Sequence, residues 1–327
     1  MRRRDLITLI GGTVVWPFAA RAQSTGTMPR VSYVWFGAPG SDDSTLQGLQ
    51  KGLQELGYAD GTNIKLSYHY ANGSQERLAA LLASMVNANE TDIIVSPGTL
   101  VTSTVKKVVS TIPVVSVTGD PIGSGIVSSL ARPGGNITGF TLFAGPELGE
   151  KWLELVHEAF PKASRIAVLW NPSSSFSAAL VGKMKDAAVR LGFTLLLHDL
   201  RQPSDFAIAF DAIANEKVDA IVTDPDPLLV AHRGEIVDFA ARIRTPAIYA
   251  LRDYVASGGL MSYDANLFEI WRRAAEYVDR IAKGSAPGDL PIQQPTKFDL
   301  IVNIKTAKAL GLAIPGTIIA RADEVIE

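Results

Sequence analysis

The chain has 327 residues, 47% of them hydrophobic and 20% charged, with a formal net charge of -2 and no cysteine. That length suits two domains with cores of ordinary size, and the composition excludes a disordered chain. Near-neutral, scattered charge argues against a nucleic-acid partner, and the lack of cysteine excludes a disulfide framework, a thiolate nucleophile and a thiolate-held metal.

Residues 1–22 read as an export signal. Arg2, Arg3 and Arg4 form a charged start, "LITLIGGTVVWPFA" is a short apolar stretch, and Ala20, Arg21 and Ala22 offer a small-x-small cut before Gln23. The run Arg3, Arg4, Asp5, Leu6, Ile7 is similar to the twin-arginine pattern, and Gly11, Gly12 and Arg21 favour that route. The alternative is a membrane anchor, but the apolar stretch falls short of the roughly 20 residues a spanning helix needs. The mature protein is therefore expected in the periplasm, without stable membrane insertion after cleavage. "QSTGTM", up to Met28, reads as a loose lead-in.

From Arg30 the chain alternates strand and helix. "RVSYVWFG" is an apolar strand, and "STLQGLQKGLQELGY" places Leu46, Leu49, Leu53 and Leu56 at helical spacing before Gly57. Asp42 and Asp43 precede that helix; a cap is the reading preferred over a metal ligand. "NIKLSYHYA" alternates as a strand, and "SQERLAALLASMVNAN" is a helix capped by Ser74. "DIIVSPGT" is a strand, "LVTSTVKKVVS" a helix and "IPVVSVTG" a strand. Continuous apolar strands separated by helices predict a parallel sheet covered on both faces.

The pattern then restarts with "GEKWLELVHEAF", "RIAVLWNP", "SFSAALVGKMKDAAVRLGF", "TLLLHDL", "DFAIAFDAIANEK", "DAIVTDPDP", "HRGEIVDFAARIR" and "PAIYALRD". "TDIIVSPGTLV…STIPVVSV" and "VDAIVTDPDPLLV…RTPAIYA" share order and spacing, which suggests two domains of one fold. The tail adds "GLMSY", a long helix through "RRAAEYVDRIAKG", then an extended and a helical stretch. The first domain lacks an outer helix, so the chain is expected to cross between domains three times, near Phe140–Ala144, Ser262–Ala265 and Gln294–Phe298. The expected architecture is α/β: two doubly wound parallel-sheet lobes, residues 29–140 plus 265–294 and residues 141–262 plus 298–327, with a cleft between them.

Marks of catalysis are missing. There is no Gly-x-Ser-x-Gly elbow and no Gly-x-x-x-x-Gly-Lys-Ser/Thr loop, and Gly182 and Lys183 fall in a helix. Gly123 and Gly125 begin a dinucleotide fingerprint that fails at Ser128. His69, His157, His198 and His232 are scattered, with no metal-ligand spacing. No enzyme activity, metal or cofactor is expected.

"QGLQKGLQELGYADGTNI", "SPGT", "IPVVSVTGDPIGSGIVSSLARPGGNITG", "RIAVLWNP", "GGLMSY", "RRAAEYVDRIAKG", "DLPIQQPTKFDLIVNIKTAKALGL" and "RADEVIE" together resemble the substrate-binding proteins of ABC transporters, in the family with tryptophan- and phenylalanine-binding members. The blocks stand in family order over nearly all of the mature chain. The resemblance implies a type I periplasmic-binding-protein fold, hinged closure on a small-molecule ligand and delivery to a membrane permease. A monomer is expected. A sensory receptor for a membrane kinase would use the same cleft, and an enzyme on the same frame is the further alternative.

Ligands of open parallel sheets sit beyond the carboxyl ends of the strands. This points to Phe36, to Ser96, Gly98 and Thr99 in "SPGT", and to Thr118 and Asp120 in "TGDP". In the second lobe it points to Asn171 and Phe176 in "WNPSSSF", Asp224 in "TDPDP" and Tyr249 in "YALRD". The helix start after Gly98 suits a carboxylate, or is a plain cap. "SSSF" has the same design. Asp120 and Asp224 offer counter-charges for an ammonium, or hold their Asp-Pro turns. Trp35, Phe36, Trp170, Phe176, Tyr249 and Tyr263 are rim aromatics able to stack on a ligand or to pack. The glycines of "GDPIGSG" fit a cleft-wall turn.

Overall fold

Each half of the chain carries its own set of apolar strands, and each set forms its own sheet. The computed structural model describes residues 28–40 and 43–327, so the expected export signal, Asp42 and the Asp43 side chain lie outside it. The first half runs β1 (Arg30–Trp35), α1 (Asp43–Glu55), β2 (Lys65–Tyr70), α2 (Gln75–Ala88), β3 (Ile93–Pro97), α3 (Thr99–Val108), β4 (Val114–Thr118) and β5 (Ile137–Thr141). Its strands pair in parallel in the order β2-β1-β3-β4-β5. β3, β4 and β5 are buried along their whole length because helices cover both faces. Val31, Val95 and Val115 pack with Leu49 and Leu53 of α1. Val34, Ile94 and Val114 face the other way, toward Leu78 and Leu82 of α2 and Val101 and Val105 of α3.

The second half runs α4 (Leu148–Ala159), β6 (Arg165–Trp170), α5 (Ser175–Leu191), β7 (Thr194–Asp199), α6 (Asp205–Glu216), β8 (Ala220–Thr223), α7 (Pro227–Ala231), α8 (Arg233–Arg242), β9 (Ala247–Tyr249), α9 (Arg252–Ala256) and β10 (Met261–Ala265). Then come α10 (Leu267–Ala282), β11 (Phe298–Asn303), α11 (Ile304–Leu310), α12 (Gly316–Arg321) and β12 (Glu324–Ile326). The sheet order is β12-β11-β10-β9-β8-β6-β7. The run β7-β6-β8-β9-β10 repeats the winding of the first sheet, the structural counterpart of the internal sequence echo.

One helix belongs to the other sheet. The buried face of α10, with Ile270, Trp271, Ala274 and Val278, joins the core under α1. Two glycines of α1 permit the approach. A Cβ at Gly48 would lie 2.5 Å from the Phe268 carbonyl oxygen, and one at Gly52 2.1 Å from that of Arg272. The chain thus passes from one sheet to the other after β5, after β10 and before β11. On its return it re-enters at the end where β10 stopped, so β11 runs antiparallel to β10. The second sheet is therefore mixed rather than wholly parallel. Among the described residues no helix is long and apolar enough to cross a membrane.

Candidate ligand-binding cleft

The C-terminal strand ends of the two sheets approach each other at Gly123 and Ser175 and at Gly119 and Phe143. A Cβ at Gly123, in the loop after β4, would lie 2.9 Å from Ser175 Oγ at the start of α5. Phe143, in the passage from β5 to α4, stacks on Phe176 with ring centres 5.1 Å apart and planes at 25°. The Cε2 atom of Phe143 lies 3.3 Å from where Gly119 would carry a Cβ.

The first wall is built at the start of α3. Gly98 has φ +88, a conformation that suits glycine and turns β3 directly into the helix. Its N–H donates to Val117 O at 2.8 Å, tying the turn to β4. The first intrahelical bond is Thr102 N–H to Gly98 O at 3.1 Å, so the N–H groups of Thr99, Leu100 and Val101 precede the ladder. They sit at the positive end of the helix, and Lys106 and Lys107 occupy its last turn. Thr99 Oγ1 accepts the Gly119 N–H at 3.2 Å, which leaves its own hydrogen to donate. One residue away, the Thr118 side chain is 1% exposed and its hydroxyl has no partner among the described residues. Ser96 is fully buried with its hydroxyl against Thr102 Oγ1 at 3.0 Å, so it supports the turn from inside rather than lining the wall. Asp120 accepts the Gly123 N–H at 2.8 Å, the turn-holding alternative. Phe36 is half-buried and packs on the core beside α2 and α3.

The second wall is a clasp. Asn171 donates its N–H to Asp224 Oδ2 at 3.2 Å and its side-chain amide to Asp226 Oδ2 at 3.2 Å, and its Oδ1 accepts the Ser173 N–H at 3.0 Å. Asp224 is fully buried and also accepts the Asp226 N–H at 2.9 Å. Burial is the largest influence on its carboxyl and pushes it up to about 6, against hydrogen bonds from Ser177, Asp226 and Asn171 that pull it down. Asp224 therefore binds the loops after β6 and β8 together and does not stand as an exposed counter-charge. Ser174 caps α5, accepting the Ser177 N–H at 3.2 Å.

The rim aromatics separate. Phe176 packs on the second lobe's core behind Phe143, and it is Phe143 that reaches Gly119 of the first lobe. Tyr249 is 1% exposed and stacks on Tyr254 at 4.8 Å. It is turned from the cleft because strand alternation places it with Ala247 on the face packed against α8. Burial also holds its phenol above the usual range. Trp35 stacks on Tyr33 and Tyr263 on Phe298. Trp170 is half-buried beside the α4–α5 core. Gly119 and Ser175 belong to the "TGDP" and "SSSF" stretches that the strand-end argument points to, whereas Phe143 belongs to no such stretch. Phe143 falls inside an expected crossing, where no helical or strand period assigns it a face. Among the described residues no group of three or more His, Asp or Glu is placed to hold a metal ion.

Two doubly wound lobes with facing strand ends and a positive helix start define a receptor for a small ligand. The chain belongs to the family of ABC transporter substrate-binding proteins, whose model matches residues 36–326. Such proteins bind substrates and are not enzymes. A tyrosine-binding protein of Clostridioides difficile is 26% identical over 271 residues, 83% of this chain and 77% of that one. A Streptococcus domain solved in complex with L-Trp is 26% identical, with a TM-score of 0.78, over 92% of this chain and 100% of that one. A leucine-binding protein of Thermotoga maritima, 12% identical with a TM-score of 0.58 over 80% of this chain and 85% of that one, shares the fold alone, the type I periplasmic-binding frame.

Proposed function

We propose that this protein is the exported solute receptor of an ABC importer. It takes a small amino acid or related carboxylate, with an aromatic or branched apolar side chain, between the lobes formed by residues 29–140 plus 265–294 and 141–262 plus 298–327. It closes about the three crossings and presents the ligand to a membrane permease. Residues 1–22 direct it to the periplasm by the twin-arginine route.

The observation that carries this reading is the start of α3. Three N–H groups ahead of the helical ladder, the Thr99 hydroxyl and the helix dipole converge where the lobes meet, and that combination favours a carboxylate. The names of the relatives support the class, since one binds tyrosine and another was solved with L-Trp. The test is mass spectrometry of small molecules released from protein purified under mild conditions. An amino acid is expected. A sugar or nucleotide, or chemical turnover of the released compound when it is returned to the protein, would overturn the reading.

A further inference from the structure

The passage between β5 and α4 is short, and one of its side chains touches both lobes. Its backbone is fixed from the first sheet: Leu142 N–H donates to Thr118 O at 2.7 Å, and Thr141 Oγ1 donates to Phe143 O at 2.7 Å. Phe143 is 9% exposed and packs at the edge of the second lobe's core. One side of its ring stacks on Phe176 from the first turn of α5. Its Cε2 edge borders Gly119, and Thr99 Oγ1 lies 3.7 Å from the same Cβ position that Cε2 approaches at 3.3 Å. The Phe143 ring edge and the hydroxyl at the α3 start thus both border the position where Gly119 lacks a side chain.

We propose that Phe143, backed by Phe176, is the wall that reads the side chain of the ligand, and that Gly119 is the residue that lets it do so. The inference rests on the carboxylate reading of the α3 start. In an amino acid the carboxylate and the first ring of an aromatic side chain are about 5 Å apart, the span of a few covalent bonds. A carboxylate on Thr99 and the first-turn N–H groups thus puts that ring within reach of Phe143. Aromatic rings favour offset or edge contact at centroid separations of about 4.5–7 Å. An aliphatic side chain gains only burial there, so the wall selects for an aromatic ligand.

Calorimetry with L-tyrosine, L-tryptophan, L-leucine and L-alanine on the whole mature protein tests this. Phe143→Leu keeps apolar bulk and removes the ring face. It is expected to weaken the preferred aromatic ligand about tenfold while leaving L-leucine within about threefold. Gly119→Ala is expected to act in the same direction, because its Cβ forces the ring edge to shift. Phe143→Tyr, which retains the ring, is expected to keep the aromatic preference. Thermal melts of each variant separate a lost fold from a lost preference. If the unaltered protein binds none of the four amino acids, the carboxylate reading fails and this inference with it. If it binds them and Phe143→Leu changes all affinities by the same factor, the wall alone is refuted.

Discussion

Asp264→Asn is expected to stabilise the protein at alkaline pH and to do little at acid pH. Asp264 is 4% exposed in β10 and stands directly opposite Asp299 of β11, on the same face of the sheet. Its Oδ2 accepts the Arg252 N–H at 2.7 Å, while the Arg252 guanidinium reaches away to Glu324 at 3.2 Å. Asp299 accepts the Asn266 side-chain amide at 2.6 Å, with Lys297 3.8 Å from its other oxygen. Burial pushes the Asp264 carboxyl from 3.8 up to about 7; Asp253 and Asp299 add to the rise and Arg252 opposes it. Burial raises Asp299 as well, with Asp323 adding to the rise and Lys297, Asn266 and Arg252 opposing it. Because the folded value lies above the unfolded one, the folded state holds the extra proton between them. The stability this confers is complete below about 4 and is lost as pH rises through about 7. At ~1.4 kcal/mol for each tenfold change in proton affinity, the ionised carboxyl costs the fold on the order of 4 kcal/mol well above pH 7. The amide keeps an acceptor for Arg252 N–H and carries no charge. After its own burial cost, a gain of about 1–3 kcal/mol should remain at pH 8.5, and near parity at pH 5. Urea denaturation of both proteins across that range gives the difference directly. The difference matters because His69 and His198, held below the usual imidazole range by burial, tilt the parent curve the other way on the acid side. An equal effect of the substitution at pH 5 and pH 8.5 would show that Asp264 is not an ionisable burden.

Local crowding sets opposite signs for replacing Gly52 of α1, packed on α10, and Gly182 of α5. Gly52→Ala forces a Cβ to 2.1 Å from Arg272 O and should cost about 1–3 kcal/mol, whereas Gly182→Ala, with nothing within 4 Å, should add about 0.5–1 kcal/mol; chemical denaturation reads both. Thr99→Val should weaken an amino acid several-fold and barely change binding of its amide, since a hydroxyl bond contributes most to a charged acceptor; equal losses by calorimetry would remove Thr99 from the anion site. Replacing Arg3 and Arg4 by lysine should leave unprocessed precursor in the cytoplasm on fractionation, and normal processing would exclude the twin-arginine route.

The doubly wound lobes are legible in the sequence because parallel strands buried on both faces must be continuously apolar, as in "DIIVSP" and "DAIVTD". The exchange of α10 follows from one lobe having a helix too few. Side-chain direction is harder to read. Ser96 and Tyr249 stand at strand ends yet point inward, because alternation fixes a face only once the strand ends are known to a single residue. Asp224 sits at the expected strand end, but its burial depends on Asn171, Ser177 and Asp226, which only the folded loops bring together. The antiparallel turn of β11 depends on where the chain re-enters, which no local pattern records. Phe143 lies in a linker, where hydrophobicity gives no direction, and its role emerges only from the two lobes meeting.

An amino acid held in the cleft by its carboxylate should lose affinity when that charge is removed. Calorimetric titration of the unaltered protein with L-tyrosine and L-tryptophan, each beside its C-terminal amide, tests it most directly. Each amide should bind at least about tenfold more weakly than its acid, a difference of about 1.4 kcal/mol. Equal affinity of acid and amide would contradict it.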